Sequence, residues 1–177
     1  MSFRFHRSIP NLSIFHNASS QHSTRILQLL RSSLSNPYLP PSLAARMNTN
    51  PPNPQKAANV KPSRPLEFNL DVSTSPPTTD QYETMFNYLR SQQPTPSLLG
   101  VPSLSRFLVK HSEPVNSTDE LAELAETNPG AVRWPVVVHW DDGLVAIERE
   151  DDVNHILEVI YQEENGGKGA QQQDWLS

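Results

Sequence analysis

The stretch that most restricts the fold is Arg133-Trp134-Pro135-Val136-Val137-Val138-His139-Trp140-Asp141-Asp142-Gly143-Leu144-Val145-Ala146-Ile147-Glu148. Val136–Trp140 is a β-branched and aromatic run, which suits the pleated, half-buried surface of a strand. Asp142-Gly143 is a hairpin turn dipeptide, and Leu144–Glu148 reads as the returning strand. Pro135 has no N–H to give a ladder, so it belongs at the first position of its strand. Proline is also the residue type at which a cis peptide is accessible. A helix over Glu150–Gln162 follows, with Glu150, Asp151 and Asp152 at its positive end and Val153, Ile156, Leu157 and Ile160 as its buried stripe.

The rest of the chain supplies matching pieces. Asn11–Asn17 alternates, with Leu12, Ile14 and His16 on one face, and reads as a strand. Serines and Thr24 then offer caps for a helix over Ser20–Leu34, whose stripe is Ile26, Leu27, Leu29, Leu30 and Leu34. Leu66, Phe68, Leu70 and Val72 alternate as a second strand. Thr78-Thr79-Asp80-Gln81 opens a helix running to about Ser91, with Tyr82, Met85, Phe86 and Leu89 along one side. Leu104, Phe107 and Leu108 suggest one short helix, and Ser117–Glu120 caps another that Asn128-Pro129-Gly130 stops. A strand–helix–strand crossover needs a parallel pair, whereas the hairpin needs an antiparallel one. The expected fold is therefore α/β and thioredoxin-like: a mixed four-stranded sheet with helices on both faces, in the order β-α-β-α-β-β-α, over residues 11–163.

Three stretches stand outside that pattern. Prolines punctuate residues 35–65, which read as a disordered or extended Pro-rich insertion. Residues 164–177 read as a polar C-terminal tail, and residues 1–10 as a basic N-terminal segment. Residues 1–66 carry eight basic residues and no acid, whereas residues 67–177 carry the other six bases and all 19 acids. A basic, Ser-rich, acid-free start is the composition of a mitochondrial transit peptide, although cleavage beyond residue 12 would remove the first strand. An uncleaved signal or a very short cut is the expectation. No apolar run approaches the roughly 20 residues needed to span a bilayer. The chain has no cysteine, which excludes disulfides, thiolate metal sites and thiol catalysis.

Phe15-His16-Asn17 leading into Ser23-Thr24-Arg25, Pro76-Pro77-Thr78, and Trp134-Pro135-Val136-Val137-Val138 with Trp140-Asp141 together carry a family resemblance. The chain resembles the fungal redox proteins of mitochondria, a thioredoxin-like family of largely unknown activity. At longer range it is similar to glutaredoxin-linked arsenate reductases. The resemblance implies an oxidoreductase located in mitochondria. It also implies a reactive cysteine, at or near Ser20 in the arsenate reductases and near Leu124 or Ala125 in family members assigned an active-site cysteine. This chain has none at either place, so the resemblance carries the fold and the compartment but no reaction.

A helix N-terminus with unpaired N–H groups suits a phosphate, an arsenate or a thiolate. The candidate ligand-binding residues are accordingly Asn17, Ser20, Ser23 and Arg25, with Arg133 and Pro135 completing the pocket across the proline loop. The same residues also serve as ordinary caps and a solvated arginine. Ser20 as a nucleophile needs an adjacent base, for which His16 or His22 is the candidate. The six histidines show no ligand spacing, so no metal is expected, and the folded part has no basic cluster for nucleic acid. Two functions follow. One is a redox-family member lacking its thiol. The other is a non-catalytic binding or adaptor domain for a small anion, glutathione or a peptide, with no cofactor unless glutathione is one.

Overall fold

The computed structural model describes residues 8–49, 64–92, 103–109 and 115–166. Four strands, β1 (Asn11–Phe15), β2 (Asn69–Ser73), β3 (Val136–His139) and β4 (Leu144–Ile147), lie in the order β2-β1-β3-β4. β1 and β2 are parallel, and β1/β3 and β3/β4 are antiparallel. The helices are α1 (Gln21–Ser35), α2 (Pro41–Thr49), α3 (Thr79–Ser91), α4 (Thr118–Thr127) and α5 (Glu150–Gly166). Short 3-10 turns at Leu104–Phe107 and Pro129–Ala131 flank α4. Trp134–Pro135 is a cis peptide at the entry to β3. The strand order, the mixed pairing and the cis-proline make this a thioredoxin-like α/β fold.

The period-2 alternation of the strands explains why helices cover both faces. Leu12, Ile14, Val137 and Ala146 point into one core, against Ile26, Leu27 and Leu30 of α1 and the Val153–Ile160 stripe of α5. Phe15, Val136, Val138 and Val145 point into the other, against Tyr82, Met85 and Leu89 of α3 and Leu121 and Ala125 of α4. Local capping fixes where the helices start. Thr78 and Gln81 form a reciprocal capping box on α3, and Ser117 accepts from the Glu120 N–H on α4.

Two expectations need correction. The stretch 35–65 is not wholly extended: α2 lies within it, and Tyr38 is buried in the first core. Pro40 accepts the N–H groups of Leu43 and Ala44, so Pro41 stands at the first helical position, where a missing N–H costs nothing. Residues 50–63 of that stretch lie outside the described residues. The hairpin is also longer than a two-residue turn, because the pairing of His139 with Leu144 closes a loop over Trp140–Gly143. Only Gly143 there has a positive φ, +65°, and a Cβ on it would sit 3.0 Å from the Tyr88 ring.

Tyr82 is fully buried, edge-on to Phe107 at 5.3 Å, and its hydroxyl has no partner among the described residues. Burial pushes its phenol well above the ordinary value, and burial with the Glu158 carboxylate raises that of Tyr38 to about 12. Both stay neutral in the folded chain where the unfolded chain ionises. Stability is therefore full below about pH 10 and falls as pH rises from there. Tyr82→Phe is expected to be neutral or stabilising by up to about 1 kcal/mol, because an unpaired buried hydroxyl is removed. It should also reduce the alkaline loss, read as urea midpoints at neutral pH and at about pH 10.5. A marked destabilisation would show that the hydroxyl has a partner.

Candidate functional site

β1 ends at Phe15 and the chain turns through His16–Ser20 into α1. The Asn17 side chain accepts from the Ser19 N–H at 2.9 Å, and its carbonyl accepts from the Ser20 N–H at 3.0 Å. Ser20 is the N-cap, its Oγ accepting from the Ser23 N–H at 3.2 Å. Ser23 is fully buried: its Oγ accepts from the Asn17 N–H at 3.1 Å and lies 2.7 Å from His16 Nδ1. The base candidates are therefore engaged elsewhere. His16 is bonded to Ser23 and not to Ser20, and His22 Nε2 donates to the main-chain oxygen of Glu148.

The proline loop meets this turn through Glu148. That residue lies at φ +62°, with the Arg149 N–H bonded to Ile147 O at 2.7 Å, so it is the centre of a γ-turn. Left-handed backbone costs a non-glycine residue roughly 1–2 kcal/mol and persists where the surroundings over-determine it. Here the Glu148 N–H donates to Pro135 O at 2.9 Å, its carbonyl takes the His22 proton, and its carboxylate meets Arg133 Nη1 at 2.5 Å. Arg133 Nε also donates to Leu108 O at 2.6 Å. Partly exposed pairs are worth about 1 kcal/mol or less, so this one chiefly fixes position. Arg25 is paired as well, with Glu150 at 3.2 Å.

Both guanidinium groups expected to meet an anion thus already face carboxylates, and Asp151 and Asp152 add negative charge at the start of α5. One set of polar groups is left over. Trp134 uses its indole Nε1 to donate to Pro129 O at 2.7 Å. Its main-chain N–H and C=O, immediately before the cis-proline, have no hydrogen-bond partner among the described residues.

Residues 3–148, most of the chain, match the family described as "Protein of unknown function (DUF1687)". The chain belongs to this family. Among solved structures, this DUF1687 chain is similar to an arsenate reductase from Vibrio cholerae, at 13% identity and a TM-score of 0.45, covering 86% of this chain and 99% of that one. No curated protein matches the sequence.

This DUF1687 member has no thiol to place at either expected position. Ser20 is occupied as a cap, while Ala125 is fully buried and Leu124 packs beside it in the second core. Among the described residues no three metal-ligating side chains gather, and no helix is long and apolar enough to cross a membrane. Glu148 is the site residue that sequence reasoning missed. A signal existed: the hairpin register carried one pair beyond Val136 and Ile147 sets Glu148 opposite Pro135, within reach of Arg133.

Proposed function

We propose that this chain is a thioredoxin-like domain of a mitochondrial redox family that has no thiol chemistry and acts as a peptide-binding or adaptor domain at its cis-proline loop. The main-chain N–H and C=O of Trp134, without a partner among the described residues, carry this reading. A donor and an acceptor on one residue match the main chain of a peptide, the same pairing that adds strands to sheets. The anion and glutathione forms of the reading are weaker on charge. Arg25 and Arg133 are paired with Glu150 and Glu148, and Asp151 and Asp152 add two further carboxylates in the first turn of α5. The mitochondrial assignment rests on the basic, acid-free start of the chain.

The test compares a capped neutral tripeptide, acetyl-Val-Ala-Val-amide, with glutathione, following backbone amide resonances, alongside a glutathione-dependent thiol–disulfide exchange assay. The tripeptide is expected to shift the Trp134 amide at lower concentration than glutathione does, with exchange at the uncatalysed rate. Turnover above that rate would refute the non-catalytic reading. Silence of the Trp134 amide to both probes would refute the binding site.

A further inference from the structure

His139 is a buried titratable group that neither the proline loop nor the turn into α1 uses. It ends β3, is 1% exposed, and is bonded to the loop over Trp140–Gly143. The Asp142 main-chain N–H donates to its Nδ1 at 3.0 Å. A main-chain N–H can only donate, so Nδ1 carries no proton and the neutral ring holds its proton on Nε2. Nε2 has no hydrogen-bond partner among the described residues. The carboxylate of the same Asp142 lies close by, its Oδ2 3.7 Å from Nδ1, just beyond hydrogen-bond length. His139 lines a cavity of about 250 Å³ with Ser8, Pro10 and the carboxylates of Asp141, Asp142 and Glu163. Glu163 comes from α5 and the two aspartates from the loop, and no cation is among the lining groups. The strand neighbours of His139, Leu12 in β1 and Leu144 in β4, are uncharged.

We infer that His139 is a proton-driven switch for the hairpin loop: on protonation, Nδ1 stops accepting the Asp142 main-chain N–H and donates to the Asp142 carboxylate. Histidine is the side chain that ordinarily changes charge between about pH 5 and 8. In the charged ring both nitrogens are donors, so two N–H groups would face each other across 3.0 Å. The carboxylate resolves that conflict, because a charge-assisted bond is roughly twice as strong as a neutral one. It also supplies the counter-charge that a buried imidazolium requires. The exchange turns the Asp142 peptide, and the loop that carries it is tied to two elements. On the β1 side, the Trp140 N–H donates to Asn11 O at 3.1 Å and its indole Nε1 to Ser13 Oγ at 2.9 Å. On the α3 side, the Tyr88 hydroxyl donates to Trp140 O at 3.3 Å and Gln92 Nε2 to Gly143 O at 3.4 Å. The α3 bonds are the longer ones, so the end of α3 is where the exchange is felt first. This inference stands independently of the Trp134 site.

The test follows nitrogen resonances of the full chain from about pH 7.5 to about pH 5.5, a range in which histidine titrates and ordinary carboxylates do not. The Asp142 amide and the Gln92 side-chain amide are expected to shift in one step, together with His139 Nδ1. His139→Asn places an amide oxygen where Nδ1 stood, which accepts the same N–H but takes no proton. In that variant both signals should hold their neutral-pH positions across the range. Asp142→Asn keeps the main-chain N–H and removes the carboxylate, so the step should move to lower pH. This second variant tests the switch even where His139→Asn does not fold. A ring already protonated on Nδ1 at about pH 7.5 would overturn the inference. So would a His139 titration that leaves the two loop signals in place, a step that persists in His139→Asn, or a midpoint unmoved in Asp142→Asn.

Discussion

Ser20→Cys is expected to convert a chain that iodoacetamide cannot alkylate at any thiol into one alkylated stoichiometrically at a single residue, with a thiol pKa below the ordinary value. A free thiol titrates near 8.5, and helix N-termini lower that to about 3.5–7.5. Ser20 is a half-buried N-cap whose Oγ accepts the Ser23 N–H, and a thiolate there would accept the same bond. The paired state of Arg25 and the carboxylates of Glu148 and Glu150 work in the other direction. A shift of roughly 1–2 units downward is therefore expected, not the full effect. The measurement is the pH dependence of the alkylation rate. Ala125→Cys serves as the contrast: that position is fully buried in the second core, so its thiol should stay unreactive until the chain unfolds. A Ser20→Cys thiol that titrates at or above about 8.5 would mean the helix end does not stabilise negative charge. A depressed value would mean that this position keeps the electrostatics of a thiol site and lacks only the sulfur.

What the sequence disclosed follows the range of the interactions involved. Ser20, Thr78 and Ser117 were legible as caps because a cap acts on an N–H three residues away. The hairpin and the two strands before it were legible because the side-chain period reports burial directly. α2 was not, because Pro37, Pro40 and Pro41 dominate the reading of residues 35–65. What anchors α2 is distant: Ser42 bonds to Glu158 of α5, and Tyr38 packs with Tyr161. The charges of the candidate site were misjudged for a similar reason. Arg25 and Arg133 look available along the chain, but Glu150 lies 125 residues from the first and Glu148 lies 15 from the second. The fold alone brings Glu150 to Arg25, whereas the hairpin register, carried one pair beyond Val136 and Ile147, is the signal that places Glu148 near Arg133.

Ser23→Ala is expected to cost about 2–4 kcal/mol, a large effect for the loss of one oxygen. Ser23 is fully buried, and its Oγ accepts from the Asn17 N–H at 3.1 Å. The same oxygen is hydrogen-bonded to His16 Nδ1 at 2.7 Å, so one hydroxyl serves both groups. Alanine would strand the Asn17 amide and His16 Nδ1 together, and each unsatisfied buried group costs roughly 1–3 kcal/mol. Urea unfolding should show a lower midpoint with an unchanged slope, since the surface exposed on unfolding hardly alters. The double variant His16→Phe with Ser23→Ala removes both ends of one bond, and its cost should fall below the sum of the single changes. A Ser23→Ala cost under about 0.5 kcal/mol would show that water replaces the hydroxyl, and with it that solvent reaches the serine. That outcome would reopen a nucleophilic reading, because a Ser–His pair accessible to solvent is the arrangement that activates a hydroxyl. The large cost expected would instead make the pair a buried clamp holding the end of β1 against α1.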